Sequence, residues 1–321
     1  MIRRRSVLSL PAAMALGPAH AQAYPDRPLN WVVGFPAGGS ADMIGRRLTD
    51  RFAQEVGQPV VVLNKPGAGG TLATDYVASQ AADGYTILGA GATTCVAEAL
   101  YKNLRSRLFR DVQLIAVTGV TSNVLVMSAA SPITSIEALI AYAKANPGKL
   151  TYASTGNGTT PHLCAEMFKA TAQVDLVHVP YKGSGQALTD LVSRRVDLMF
   201  DNVATAMPFV NSGELRAFAV TASNPNPIAP GIPTLREAGI ALAVDSWSGA
   251  SVSSRTPLEI RQWLNQKLRA MARDPAYVQS MKGLGVAVNQ NDWDLPAVDA
   301  YVKQEMEFWR KAVALSGAVV S

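Results

Sequence analysis

FPAGGSAD, residues 35–42, follows a strand-like apolar run, NWVVG (residues 30–34), and precedes a stretch with the spacing of a helix. Ile44, Leu48 and Phe52 recur every four residues, Ser40 can cap the start, and Gly57 followed by Pro59 ends the pattern. Two glycines and a serine at a strand-to-helix turn let a ligand approach the backbone closely, and the first helical turn offers unpaired N–H groups that attract anions. A tight βα turn with no ligand uses the same residues, so this stretch alone leaves both readings open.

Working outward, strand-like runs at residues 31–35, 60–63 and 86–89 enclose helix-like runs at 41–56 and 70–81. This is a βαβαβ series, which predicts a parallel sheet with helices on both faces. From residue 122 the alternation begins again, with strands at 150–154, 174–180, 196–200 and 215–221 and helices at 161–171, 186–193 and 203–211. Past residue 246 the pattern reads as mostly helical, at 257–272, 275–283 and 296–314. In the last of these, Val298, Val302, Glu305 and Trp309 share one face, which predicts packing against a lobe.

The chain has 321 residues, 48% hydrophobic and 17% charged, enough for two lobes with separate cores and too balanced for disorder. Residues 1–23 read as an export signal: Arg3, Arg4 and Arg5, an apolar core at residues 7–16, and Ala19-His20-Ala21. The apolar core is too short to span a bilayer and Pro11 interrupts it. Arg4 and Arg5 before Ser6, Val7 and Leu8 fit twin-arginine or general export equally. Removing the signal takes three arginines and no acid, so the net charge falls from +5 to +5 − 3 = +2. The basic excess of the full chain therefore belongs largely to the signal, and no later basic run interleaved with aromatics points to nucleic acid. A soluble, periplasmic product is expected. Cys95 and Cys164 are expected unpaired, because they fall far apart in the chain and in different lobes.

A second turn matches the first. STGNGTTPH, residues 154–162, follows the strand-like LTYA (residues 150–153) and opens a helix whose first turn suits Pro161, with Thr160 as a cap. In open α/β sheets ligands bind outside the C-terminal ends of strands, so two such lobes facing one another make a cleft. KPGAGGT, residues 65–71, has its lysine before the glycines and so fails as a phosphate loop; it reads as a loop rimming the cleft. GAGATT, residues 89–94, lacks the third glycine and the acid of a dinucleotide site, so no cofactor is expected.

Catalytic signals are thin. Past the signal only His162 and His178 remain, without a nucleophile elbow or a Cys/His cluster for a metal. Asp42 and Asp201 stand just past strand ends, where they either meet a ligand amine or hydroxyl or cap a helix.

Together, YPDRPLNWVVGFPAGGSAD, QPVVVLNKPGAGGT, ADGYTIL, NPGKLTYASTGNGTTPHL, VHVPYKGSGQALTDLVSRRVDLMFDN and GELRAFAVT resemble the substrate-binding proteins of tripartite tricarboxylate transporters, the Bug receptors. The resemblance runs from Tyr24 to about Trp309. It implies a two-lobed α/β Venus flytrap in the periplasm, without enzymatic activity, that captures a small carboxylate for a membrane permease. It places ligand contacts at Phe35, Ala37, Gly38, Gly39, Ser40 and Asp42, at Thr93, and at Ser154, Thr155, Gly156, Asn157, Gly158 and Thr159. Tyr181, Lys182 and Gly183 match the family's PYKG element, His162 its motif histidine and Asp201 its MFDN aspartate. Gly34 stands where the family favours proline, and Glu98 follows Thr93-Thr94-Cys95 in place of an Asn-Pro pair, departures that bear on which ligand fits.

The expected lobes are residues 24–121 plus 246–321, and residues 122–245, with hinges near 121 and 245. The two loops carry no lysine or arginine, so helix N-termini and the hydroxyls of Ser40, Ser154, Thr155 and Thr159 would hold a mono- or dicarboxylate better than a tricarboxylate. Two rival readings stand beside the transport receptor: an accessory protein that presents its ligand to a sensor kinase ectodomain, and a periplasmic hydrolase using Asp42 or His162.

Overall fold

The structure, a computed structural model, describes residues 24–318; the export signal read in residues 1–23 lies outside the described residues. The first half alternates as its periodicity predicts: β1 (Leu29–Val33), α1 (Ser40–Val56), β2 (Val60–Asn64), a 3₁₀ turn at Ala68–Gly70, α2 (Thr71–Ser79), β3 (Thr86–Gly91) and α3 (Ala92–Leu100). A long strand, β4 (Val112–Ser128), leads to α4 (Ile136–Ala145), β5 (Thr151–Ser154), α5 (Thr160–Ala172), β6 (Val177–Pro180), α6 (Ser184–Val192), β7 (Leu198–Asn202), α7 (Val203–Asn211) and β8 (Leu215–Val220). The chain returns through β9 (Asp245–Ser253), then α8 (Leu258–Ala272), α9 (Pro275–Lys282), β10 (Ala287–Val288) and α10 (Leu295–Ser316). Among the described residues no helix is long and apolar enough to cross a membrane.

The sheet is mixed, where the sequence predicts parallel pairing throughout. Parallel trios stand at the two ends, β2-β1-β3 and β7-β5-β6, and antiparallel β9 and β4 join them in the order β2-β1-β3-β9-β4-β7-β5-β6. β4 serves both halves. Its residues up to Ser122 pair with β9, and from Asn123 onward it pairs with β7 on one side and β8 on the other. β9 is the strand in a region read as mostly helical: DSWSGASVS carries small polar residues, yet its central position buries most of them. Gly249 there is required by packing, because a Cβ would stand 2.4 Å from the Ala116 carbonyl oxygen.

The apolar periodicity of α1 is realised in Ile44, Leu48 and Phe52, all buried against β1. Gly57 ends the helix in the left-handed conformation at φ 70°. The expected caps differ in detail, since α1 is capped at Gly39 and α5 at Thr159, neither through a side-chain bond to the helix. The face of α10 drawn from its spacing is the buried one, with Val298, Val302 and Trp309 at most 1% exposed. Glu305 on that face is half-buried and accepts at Oε2 from the indole N–H groups of both Trp309 (3.1 Å) and Trp247 of β9 (2.8 Å). α10 packs on both α3 and α5, and one core cluster runs through Leu88, Cys95, Leu125, Leu163 and Trp309. The last helix thus straps both halves of the molecule together.

Candidate functional site: a cavity ringed by helix starts

Each parallel βα unit delivers a helix N-terminus to the C-terminal edge of its strand, and the two halves turn these edges toward one another. A cavity of about 480 Å³ lies between them, lined from the starts of α1, α2, α3, α5 and α6, from the C-terminal end of β7, from the middle of β4 and from the first half of β9. Lys182 is its only cation and Asp201 its only acid among the described residues. Ser40, Thr93, Thr155 and Ser246, from four different elements, are half-buried and carry hydroxyls that make no hydrogen bond within the described chain. Ile44, Leu88, Ala90, Ala97 and Trp247 give the wall an apolar side.

The loop at residues 35–42 is held from behind by its own aspartate. Asp42 accepts from the Gly38 N–H (2.9 Å), Arg46 Nε (3.0 Å) and Asn64 Nδ2 (2.9 Å), and Asn64 also donates to the Phe35 carbonyl (3.0 Å). Burial opposes the charge of Asp42, but the bonds from Arg46, Gly38 and Asn64 outweigh it and hold the carboxyl below its ordinary range. The loop at residues 154–159 is braced in the same manner. Ser154 Oγ lies 2.7 Å from His178 Nε2, the Thr159 hydroxyl donates to the Gly156 carbonyl (2.7 Å), and the Gly158 N–H donates to His162 Nδ1 (3.2 Å). Gly156, at φ 125°, occupies a region that side chains avoid.

Of the eighteen residues named from the sequence, eleven line the cavity: Phe35, Ala37, Gly38, Gly39, Ser40, Thr93, Thr155, Thr159, Lys182, Gly183 and Asp201. Asp42, Ser154, Gly156, Asn157, Gly158, His162 and Tyr181 stand behind it, Tyr181 with its hydroxyl on Asp190 at 2.9 Å. Asp201 touches the wall yet is fully buried, its carboxylate taken by the hydroxyls of Ser184 (2.8 Å) and Thr205 (2.6 Å). Burial pushes it up to about 6 against those bonds. Neither Asp42 nor Asp201 therefore offers a free carboxylate to a ligand. Sequence reasoning named Thr93 alone at the α3 start and missed Gly91, Ala92 and Thr94 around it, the α6 start (Ser184 to Gln186) and the floor from Thr121, Asn123 and Ser246 to Ser248. The first two carried a signal in their small-residue turns; the floor carried none.

The two sides meet at the mouth of the cleft. The Tyr101 hydroxyl donates to the Asn157 carbonyl at 3.4 Å, and a Cβ on Gly183 would stand 3.3 Å from the Pro36 ring. Cys95 and Cys164 are both free and buried.

Two α/β lobes closing over a cavity ringed by helix starts define a solute-binding receptor of the Venus flytrap class. The chain belongs to the tripartite tricarboxylate transporter family of receptors, whose model matches residues 44–314. Protein BugT of Bordetella pertussis (strain Tohama I) is 32% identical over 323 residues, 99% of this chain and 98% of BugT. Among solved structures, the periplasmic binding protein BugD is 35% identical, with a TM-score of 0.87 over 92% of this chain and 99% of BugD. An R. palustris protein solved with adipate is 31% identical, with a TM-score of 0.88 over 92% of this chain and 99% of that one.

Proposed function

We propose that the protein is a periplasmic receptor that captures a small carboxylate between its lobes and delivers it to the membrane permease of a tripartite transporter. Five helix N-termini, those of α1, α2, α3, α5 and α6, opening on one cavity carry this reading. Each brings about half a positive charge in the form of unpaired N–H groups, a field suited to an anion without a guanidinium fork. With five starts in place of the two read from the sequence, a second carboxylate on the ligand is well accommodated. The apolar wall fits a short hydrocarbon body between the charged ends, and the adipate bound by one relative has that form.

In this reading Phe35, Ala37, Gly38, Gly39, Ser40, Thr93, Thr155, Thr159, Lys182 and Gly183 contact the ligand. Asp42, Ser154, Gly156, Asn157, Gly158, His162, Tyr181 and Asp201 shape the loops from behind. The lobes are residues 24–121 plus 246–321 and residues 122–245, pivoting where β4 exchanges β9 for β7. α10, counted with the first lobe, straps the second as well. A hydrolase using Asp42 or His162 is disfavoured because both are buried behind the cavity, Asp42 engaged by Gly38, Arg46 and Asn64 and His162 by the Gly158 N–H.

The test is a thermal-shift screen of the mature chain against acetate, succinate, adipate, malate, aspartate, nicotinate and citrate. A ligand at a hundredfold its Kd adds about 2.7 kcal/mol, a shift of several degrees. Small-angle scattering of the hit complex should show a smaller radius of gyration than the free chain. No shift with any carboxylate would sink the reading.

A further inference from the structure

Two histidines lie directly beneath the loop that joins β5 to α5. His162, in the first turn of α5, stacks on His178 of β6 with ring centroids 4.3 Å apart and planes 21° apart. His178 stacks in turn on Tyr152 of β5, at 4.7 Å and 15°. Each imidazole holds one end of the loop: His178 Nε2 meets Ser154 Oγ at 2.7 Å, and His162 Nδ1 accepts from the Gly158 N–H at 3.2 Å. Between these anchors the loop sends Thr155 to the cavity and the Asn157 carbonyl across the cleft to Tyr101.

We propose that His162 and His178 are a positioning pair for this loop, which keeps its cavity-lining form only while His162 Nδ1 carries no proton. The hydrogen bond itself states the condition. Nδ1 accepts from Gly158, so the neutral ring carries its proton on Nε2; a second proton would set N–H against N–H and leave the buried Gly158 amide without an acceptor. The stack forbids the easy escape of charging both rings, since two imidazolium ions face to face repel strongly where solvent is excluded.

The surrounding charges do little to favour an imidazolium. Glu166 and Lys169 of α5 are the charged neighbours of both rings, and they pair with one another at 2.9 Å. Tyr152 spends its hydroxyl on Glu166. Burial lowers His162, and burial followed by the charge of His162 brings His178 down to about 4. A proton on His162 breaks the bond to Gly158, and its charge then opposes a second proton on the stacked His178.

The inference leans on the receptor reading only in calling this a ligand loop, and its test needs no ligand. Amide hydrogen exchange of residues 154–159, corrected for intrinsic rates, is followed from pH 7.5 to 4.5 in the free mature chain, alongside NMR titration of the His162 ring. His162→Asn places an oxygen acceptor where Nδ1 stands and cannot titrate; His178→Gln does the same for Nε2. Wild-type protection at Gly158 is expected to fall at least tenfold with the midpoint of the His162 titration, while His162→Asn stays protected throughout. Undiminished wild-type protection at pH 4.5 would overturn the proposal, as would a midpoint that departs from that of His162. Should His162→Asn fail to fold, His178→Gln provides the decision: its loop must still open with the His162 midpoint.

Discussion

A Cβ on Gly69 would stand 2.6 Å from the carbonyl oxygen of Asn157, so the turn before α2 and the loop after β5 touch across the mouth of the cleft. Gly69 also sits at φ 62°, where an L side chain is strained. Gly69→Ala therefore incurs two separable costs. The backbone strain, about 1 kcal/mol, acts whether the cleft is open or closed and should lower Tm by about 2–4 °C. The clash with Asn157 acts only on the closed form, so the affinity for a carboxylate hit is expected to drop by at least about tenfold. Calorimetric titration that finds wild-type affinity in this variant would mean that the two loops do not meet in the bound state.

Among the described residues Lys182 is the one cation on the cavity wall, and it makes no hydrogen bond or ion pair there. A free ammonium beside an anion site contributes both attraction at a distance and a charge-assisted bond on contact. Lys182→Gln is expected to weaken carboxylate binding by about tenfold and to flatten its dependence on salt. Titrations at low and high ionic strength check both. Equal salt slopes for the two proteins would place the lysine outside the ligand's reach.

The elements that were legible in the sequence are those with one buried and one solvated face. The four-residue rhythm of Ile44, Leu48 and Phe52 in α1, and the face of Val298, Val302 and Trp309 in α10, are written by such one-sided burial. β4 and β9 are not, because both run through the centre of the sheet. β4 is buried nearly throughout and so shows no alternation, and β9 is built from small polar residues that close packing against β4 requires. At the site, small-residue turns mark where a helix starts but not which side chains face the ligand. Ser154 and Thr155 are neighbours with the same hydroxyl chemistry; the first turns inward to His178 and the second outward to the cavity. Asp42 likewise bonds back to its own loop, a contact that depends on Asn64 arriving from the next strand.

Cys95 and Cys164 give a chemical readout of core integrity. Burial pushes the Cys164 thiol up to about 12 despite the hydrogen bonds from Asn123 and Thr221, and burial with the charges of Glu305 and Glu98 raises Cys95 as well. Neither sulfur is therefore a thiolate at pH 8, and neither is reachable. The native chain should leave a chromogenic disulfide reagent unreacted at pH 8, and two thiols should titrate once guanidinium unfolds it. Intact mass should correspond to two free thiols. A disulfide in the exported protein would contradict the buried, unpaired arrangement.

Asp201 and His178 set opposing slopes in the acid stability of the fold. Asp201 is raised from 3.8 to about 6 by burial, so between these values the folded chain holds a proton there that the unfolded chain has lost. Its contribution to stability therefore grows as pH falls through 6 and is complete below 3.8. His178 is lowered from 6.5 to about 4, so in nearly the same window the unfolded chain holds the extra proton. Its contribution is fully present above 6.5 and is lost as pH falls toward 4. Asp201→Asn removes the first slope and leaves the second. Asparagine can still accept from the Ser184 hydroxyl and can donate to the Thr205 hydroxyl, which keeps its own bond to the Asn202 carbonyl at 3.0 Å. At pH 7.5 the variant is relieved of a buried charge and should melt at or above the wild-type temperature. As pH falls to 4.5 its Tm should drop more steeply than that of the wild type, until the order reverses. Scanning fluorimetry across this range reads the difference directly, and two parallel curves would show that the Asp201 carboxyl does not titrate within it.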